Sequence, residues 1–343
     1  MHLNKVNTPV FPVLSVMLIL IMLMSARYGA VYISIDEIFS AMNKYFYVPN
    51  EMTLNERIFM EIRLPRTILC VLVGASLAVG GTLLQALFRN PIVEPGLVGT
   101  SSGAAFGASL YFVLGATFKW NTGEWTLPIA ACGGAIVSTV LVFILSQSKE
   151  TGRSSIVALL LTGIAINALC MSGVGFLSYI ARDPQARSIT FWGLGTLSGA
   201  NWHAVFIVGV STISCVIIAL HYAKHLNALI LGEDEAHFLG INIKRLKLVV
   251  LAINVVMIAV ATAFVGVISF VGLVVPHLLR MIHGSDNRYL IRNSILLGGI
   301  LLGIADLTAR MLFRPAELPI GIVTSVIGVP VFIFLLRRKN YFF

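Results

Sequence analysis

The residues of this chain that could perform chemistry are few and scattered. Seven histidines are present, and the closest pair, His221 and His225, has the i, i+4 spacing of a helical metal site without the glutamate of an H-E-x-x-H motif. All four cysteines lie inside apolar runs and form no C-x-x-C pair. The chain also has no G-x-x-x-x-G-K-S/T phosphate loop. We therefore expect no metal site, no bound cofactor and no enzymatic activity in this chain.

Charged side chains beside or inside apolar runs are a second candidate set. Arg63 and Arg66 open one long apolar run, and Asp306 and Arg310 are spaced i, i+4 inside another, with the acid first, which is the favourable order on a helix. An ionisable residue at membrane depth generally marks function. The alternatives are that the pair only neutralises itself near the interface and that the arginines only reach lipid headgroups. A ladder of carboxylates is absent from every apolar run, which disfavours a driving-ion mechanism.

The composition indicates a protein that lies mostly in lipid. Of 343 residues, 57% are hydrophobic and only 11% are charged, whereas a soluble domain has about 25% charged residues. The net charge of +9 comes from basic residues that lie mostly between and beside apolar runs, as the positive-inside rule predicts. We therefore expect contact with membrane lipid and none with nucleic acid.

Ten apolar runs are candidates for membrane spans, which need about 20 residues each. They cover residues 10–24, 68–88, 97–115, 127–145, 156–179, 204–222, 246–268, 272–282, 295–312 and 322–336. The eighth is short and is expected to be a partial helix, and the first is expected to be a retained span rather than a signal peptide. Both termini then lie on one side, which is cytoplasmic because the basic residues of 149–153, 224–247, 288–292 and 337–339 share it. Five arginines fall on the outer face against this rule and are expected to have a function: Arg57, Arg63, Arg66, Arg310 and Arg314.

The segment 226–247 is the longest polar interruption in the second half of the chain. Its three consecutive acids, 233–235, suit the first turn of a helix, and Gly240 can end that helix. Leu239 and Ile241 would give the resulting knob apolar tips. The segment is therefore either a docking element for a cytoplasmic partner or an amphipathic connector on the membrane surface.

Taken together, these motifs resemble the FecCD-type permease subunits of ABC importers, which carry iron–siderophore complexes, haem or cobalamin. The resemblance covers nearly the whole chain. It rests on R-L-P-R at 63–66, Q-A-L-F-R-N-P-I-V-E-P-G-L-V-G at 85–99, F-W-G-L-G-T-L-S-G-A-N-W at 191–202, the knob at 235–247, G-V-I-S-F-V-G-L-V-V-P-H-L-L-R at 266–280, and the segment 316–336.

The resemblance implies a fold, a location and partners. The expected fold is an all-α polytopic membrane protein of about ten transmembrane helices with the type II ABC importer permease architecture, and residues 1–343 form a single permease domain. The expected assembly is a homodimer in the bacterial cytoplasmic (inner) membrane, with two cytoplasmic ABC ATPase subunits that use ATP-Mg and an extracytoplasmic substrate-binding protein. The chain itself would be a translocation subunit.

The resemblance also implies roles for particular residues. Docking of the binding protein is expected at Arg63, Arg66 and Arg310, whereas Arg314 has no firm counterpart in the family. The expected cytoplasmic gate is Asn90, Ile92, Ser154 and Ser155. Coupling to the ATPase is expected within 226–247, at Glu235, Ala236, Phe238, Leu239, Gly240 and Ile241.

The resemblance covers permeases of several cargoes. An iron chelate is expected, with haem slightly favoured over a ferric siderophore, and cobalamin is the alternative. Arg182 and Arg187 are available on the substrate path for the propionates of haem, although other cargoes would use them equally well. A less favoured interpretation is an ion-coupled secondary transporter built from inverted repeats.

Overall fold

The computed structural model describes residues 10–29, 31–115, 118, 123–147, 156–313 and 316–337. In these ranges the chain is helical and contains no β-strand. The helices are α1 (Val10–Arg27), α2 (Ile35–Tyr47), α3 (Leu54–Ile58), α4 (Leu64–Phe88), α5 (Thr100–Leu110), α6 (Thr126–Leu145), α7 (Ile156–Ile180), α8 (Asp183–Gly193), α9 (Trp202–Leu231), α10 (Glu233–Phe238), α11 (Ile243–Val265), α12 (Val271–His283), α13 (Asn287–Met311) and α14 (Ile320–Arg337).

Each apolar run identified in the sequence overlaps one of these helices. Within the described residues, seven helical segments are long and apolar enough to cross a membrane. The run 272–282 corresponds to α12, which is only 13 residues long, so the prediction of a partial helix is confirmed. The run 97–115 is less regular than expected, because a 3-10 turn (Pro95–Val98) precedes α5 and a π-helical turn (Tyr111–Gly115) follows it.

The helix α4 forms the centre of the fold and packs against α9, α11, α12 and α13. Its contact with α12 leaves no room for a side chain, because a Cβ added to Gly81 would lie 1.8 Å from the carbonyl oxygen of Gly272. The helices α5 and α6 approach each other just as closely, since a Cβ added to Gly103 of α5 would lie 2.4 Å from the carbonyl oxygen of Gly134 in α6. Small residues thus allow close helix contacts in lipid.

Two interruptions of the helices meet inside the protein. The first is the turn 89–94 with the following 3-10 turn, between α4 and α5, and the second is residues 266–270, between α11 and α12. The backbone amide of Phe270 donates to Oε1 of Glu94 at 2.8 Å, and Gln85 donates from Nε2 to the carbonyl oxygen of Gly272 at 3.3 Å. Irregular backbone within a membrane protein is tolerated where protein groups satisfy it, and these side chains do so here.

Candidate functional site

Arg66 is the centre of a buried ion network at the start of α4. Its Nε and Nη2 both donate to Oδ1 of Asp306 on α13, at 3.1 and 2.9 Å. Its Nη1 donates to both carboxylate oxygens of Glu317, at 3.1 and 2.8 Å. Forked contacts of this kind fix the orientation of the guanidinium as well as neutralising it. One arginine therefore joins the start of α4 and the end of α13 to the segment before α14.

Arg310 and Arg63 extend this network toward the end of α1. Nε of Arg310 lies 2.9 Å from Oδ2 of Asp306, without the alignment of a hydrogen bond, and its Nη2 donates to Oγ of Ser25 at 2.6 Å. Arg63 donates to backbone carbonyls, including that of Tyr28 at 2.6 Å. Arg66 and Arg310 thus share one buried carboxylate, and Arg310 and Arg63 both contact the backbone at the end of α1.

The structure brings the three predicted docking arginines together, but it also buries them. Arg63, Arg66 and Arg310 are each less than a tenth exposed, and each has partners within this chain. The carboxylate that reaches the surface is Glu317, whose side chain is 43% exposed. The i, i+4 pairing of Asp306 with Arg310 was visible in the sequence, whereas the sharing of Asp306 between two arginines required the packing of α13 on α4.

A small platform holds the segment that leads into α4. Glu56 of α3 is buried and accepts hydrogen bonds from Nζ of Lys44 at 3.0 Å and from the backbone amide of Thr53 at 2.6 Å. Glu37 of α2 accepts from Nδ2 of Asn55 at 2.7 Å. That hydrogen bond, followed by one from the backbone amide of Ser34, lowers the pKa of Glu37 below its ordinary value. The platform ties α2 to α3 and hence to the arginine network.

The turn after α4 contains the first half of the predicted cytoplasmic gate. Arg89 ends α4 in the left-handed conformation with φ 49°, and the backbone amide of Asn90 donates to the carbonyl oxygen of Gln85 at 3.1 Å. Oδ1 of Asn90 accepts from the backbone amide of Ile92 at 3.0 Å. This Asx turn fixes the backbone at Ile92, whose side chain is exposed. The other two predicted gate residues, Ser154 and Ser155, lie outside the described residues.

Glu94, two residues after Ile92, has a role that the sequence reading did not assign. It accepts the amide hydrogen of Phe270, which precedes the first residue of α12 and has a strained φ of 70°. A carboxylate at a helix N-terminus is favourable because it faces unpaired amides and the positive end of the helix dipole. The signal was a glutamate between two prolines in an otherwise apolar stretch, although its partner is 176 residues away.

A cavity of about 360 Å³ lies between α5, α7 and α8. Its lining is mostly apolar and includes Phe112, Met171 and Trp192. Asn167 of α7 supplies a polar group, donating from Nδ2 to the carbonyl oxygen of Gly96 at 3.1 Å while accepting from the hydroxyl of Ser102. The cavity therefore reaches from the aromatic end of α8 to the turn that follows Glu94.

The two arginines predicted for the substrate path lie outside this cavity. Arg182 precedes α8 and Arg187 lies within it, and both are exposed. Among the described residues that line the cavity, α8 contributes Ile189, Trp192 and Gly193 instead. Within α8, the cavity-lining residues thus follow Arg187 in the sequence.

The helix α10 forms most of the predicted coupling segment. Ala236 anchors it as a buried residue, whereas Phe238 and Leu239 are 89% and 64% exposed. Gly240, at φ 80°, ends it, and the amide of Ile241 donates to the carbonyl oxygen of Ala236 at 3.1 Å, which is the pattern of a Schellman motif. Two adjacent large apolar side chains are thus held in solvent by a rigid turn.

The predicted coupling segment 226–247 is continuous with the long helices on either side of it. Residues 226–231 continue α9, and α11 begins at Ile243 and runs without a break into the membrane. Asn242 caps α11 by accepting from the amide of Arg245 at 3.0 Å, and Lys247 donates to Glu233 at 2.7 Å across the turn. The one short helix in this segment is α10, and it is joined directly to two long helices.

Comparison with known proteins identifies the class to which this fold and these sites belong. The chain is 40% identical to the hemin transport system permease protein HmuU of Yersinia pestis, over 95% of each chain. It is 37% identical to the Fe(3+) dicitrate transport system permease protein FecC of Escherichia coli, over 84% of this chain and 85% of that one. It is 34% identical to the vitamin B12 import system permease protein BtuC of Escherichia coli, over 95% and 94%.

One solved structure similar to this chain is an ABC transporter assigned to the metal-chelate type, in an inward-facing conformation. Its TM-score with this chain is 0.83 and its sequence identity is 30%, over 95% of this chain and 98% of that one. The protein is therefore the membrane-spanning permease of an ABC importer, a translocation subunit rather than an enzyme, with ATP hydrolysed by a separate ATPase. Residues 17–338 match the FecCD transport family, and the chain belongs to that family. The family assignment replaces the alternative of a secondary transporter.

Proposed function

We propose that this permease carries an iron chelate, with haem as the first candidate. The observation that carries the proposal is the 40% identity to a hemin permease over 95% of both chains. The cavity lined by Phe112, Met171 and Trp192 would offer apolar contacts to part of such a cargo. Arg182 and Arg187, exposed before and within α8, would meet the propionates of haem.

Cobalamin is the second candidate. A cobalamin import permease of Halobacterium salinarum is 39% identical to this chain, although over 81% of it and 73% of that protein. A corrinoid is also bulky and partly apolar, so the cavity lining favours neither cargo strongly. The cargo assignment therefore depends on a transport measurement.

The proposed assembly contains two copies of this chain, two cytoplasmic ATPase subunits and an extracytoplasmic binding protein in a bacterial cytoplasmic membrane, with both termini in the cytoplasm. The geometry of α9 supports separate docking sites for the binding protein, at the arginine network, and for the ATPase, at α10. At its first residue, Nε1 of Trp202 donates to the carbonyl oxygen of Met60 at 3.0 Å, close in sequence to Arg63, and its last residue leads into α10. A 30-residue helix is about 45 Å long. This length supports the proposal that the arginine network and α10 face opposite sides of the bilayer.

Docking of the binding protein would use the arginine network through an exchange of carboxylates. Arg66 is covered at the surface by Glu317, the most exposed acid of the network. An acidic side chain of the binding protein would displace Glu317 and take up the forked contact with Arg66. Arg63 and Arg310 would then hold the docking surface in place through their contacts with the end of α1.

Transport would follow from the coupling of α10 to the gate. ATP binding brings the ATPases together, and this shifts the permease only because ATP binds one conformation more tightly than the other. The exposed Phe238 and Leu239 would move with the ATPase, and α9 and α11 would transmit that movement to the membrane. The gate would be formed by Asn90 and Ile92, together with Ser154 and Ser155, and would open without binding the cargo tightly.

The experiment that tests this function is uptake by the complete transporter in proteoliposomes. The permease is reconstituted with its ATPase and its binding protein, and haem, ferric siderophores, ferric dicitrate and cobalamin are compared. We expect ATP-dependent haem uptake that falls when Arg182 and Arg187 are both changed to Gln. The matched control is the double variant Arg288→Gln and Arg292→Gln, which removes two other exposed arginines. Uptake of cobalamin alone would reject the haem assignment, and ATP-independent uptake would reject the importer mechanism.

A further inference from the structure

The helix α2 presents an apolar stripe that no described part of the chain covers. Ile35, Phe39, Met42 and Phe46 are between 48% and 75% exposed. At 3.6 residues per turn they fall within roughly 60° of one another, so they form one narrow row along the helix. No charged residue interrupts this row.

The opposite face of α2 is firmly attached to the protein. Ala41 is buried with Ala26 of α1 and with Phe59 and Met60 before α4. Lys44 on the same side donates to Glu56 at 3.0 Å. The capping box at Ser34 also fixes the start of the helix. The orientation of the apolar stripe is therefore determined by packing and not by a loose segment.

The exposed surface of α2 is divided into an apolar half and a polar half. Next to the stripe, on the side away from Ala41, lie the exposed Asp36, Asn43 and Tyr47. A helix surrounded only by water has no reason to separate these residues, whereas a helix at a membrane surface places its apolar side in lipid and its polar side in water. Aromatic residues such as Tyr45, Phe46 and Tyr47 are typical of this level of a membrane protein.

The stripe also continues the lipid-facing surface of the first span. The side chains of α1 that approach its outer end, including Leu20, Leu23 and Met24, are exposed and apolar. The chain then turns back at once, because the amide of Ile33 donates to the carbonyl oxygen of Arg27 at 3.2 Å. Only a short turn therefore separates the apolar surface of α1 from the start of α2.

We propose that α2 lies in the outer leaflet interface of the membrane, with Ile35, Phe39, Met42 and Phe46 in contact with phospholipid. The bilayer would then be a structural partner of the docking side of the permease. Through the contact of Lys44 with Glu56, lipid would set the position of α3 and of the turn that leads to Arg63 and Arg66. An extracytoplasmic protein is the competing occupant, and it is disfavoured by the absence of charge along the stripe.

The test is photo-crosslinking of the complete transporter in nanodiscs of phosphatidylethanolamine and phosphatidylglycerol. Phe39 and Phe46 are replaced one at a time by p-benzoylphenylalanine, with Asn43, on the exposed polar side of the same helix, as the matched control. We expect at least fivefold more lipid adduct at positions 39 and 46 than at position 43, with or without the binding protein.

Two results would overturn the proposal. One is a lipid yield at positions 39 and 46 no higher than at position 43. The other is that the photoproducts at these positions become adducts of the binding protein when it is added. Because both positions are exposed, the substitutions preserve the packing around Ala41, and ATPase activity of each labelled complex confirms that it is folded.

Discussion

The carboxylate of Asp306 is the one group that neutralises two buried arginines, and its loss has a calculable cost. In the Asp306→Asn variant the shape is kept, but the negative charge 2.9 Å from Nη2 of Arg66 and 2.9 Å from Nε of Arg310 is removed. Breaking one partner of a buried ion pair costs about 3–5 kcal/mol. For 343 residues, an unfolding entropy of about 2.1 cal/mol/K per residue corresponds to about 0.7 kcal/mol/K, so the midpoint of unfolding should fall by about 4–7 °C.

Thermal unfolding can be followed with a thiol-reactive dye, because Cys70, one turn after Arg66, is a buried free cysteine. The matched control is Asp183→Asn, an exposed acid at the start of α8, which should move the midpoint by about 1 °C or less. Replacing both Asp306 and Arg310 by Leu should recover only part of the loss, because the second buried arginine, Arg66, then keeps Glu317 as its acidic partner but still lacks Asp306. A fall of less than about 1 °C in Asp306→Asn would refute the assignment of this carboxylate as the central counter-charge.

Three further predictions concern the two docking sites and the contact between Glu94 and Phe270. Glu317→Ala uncovers Arg66 and should tighten the complex with the binding protein about fivefold in surface plasmon resonance, the equivalent of about 1 kcal/mol for a part-exposed ion pair; a weaker complex would contradict carboxylate exchange. Leu239→Asp places a charge on the tip of α10 and should lower ATP-dependent uptake about tenfold or more at an unchanged unfolding midpoint, and unchanged uptake would reject α10 as the coupling element. Glu94→Ala leaves the amide of Phe270 without its acceptor and should lower the free energy of unfolding by about 1–3 kcal/mol. Glu94→Gln retains an acceptor and should lower it by less than half as much. Equal shifts of the unfolding midpoint in the two variants would show that the hydrogen bond is not the cause.

The apolar runs predicted the membrane helices well because hydropathy reports the part of a helix that lies in lipid. The same reason explains what was missed. The run 204–222 corresponds to α9, which continues to Leu231 beyond the apolar segment, and α2 and α8 are too polar for a hydropathy criterion. Their signals are local, such as the Ser34 capping box of α2, and these were not used to place helices.

The candidate site was predictable in its residue types but not in its burial. The sequence placed Arg63, Arg66 and Arg310 at the same side of the membrane, because each lies at the outer end of an apolar run. It gave no means of deciding whether they face solvent, since that depends on α13 packing against α4 at a separation of 240 residues between Arg66 and Asp306. The capping of α12 by Glu94 is hidden for the same reason.

The close contact between Gly81 of α4 and Gly272 of α12 limits how this permease can move. With no side chain between the two backbones, there is no rotamer that could absorb a displacement, so α4 and α12 must travel as one rigid body. The two regions differ in burial. In the most apolar stretch of the segment that contains α4, 83% of the residues are buried, whereas in that of α7 only 17% are. Any rearrangement within a subunit is therefore expected at α7, beside the cavity. There, flexible side chains can change neighbours while the contact between α4 and α12 stays intact.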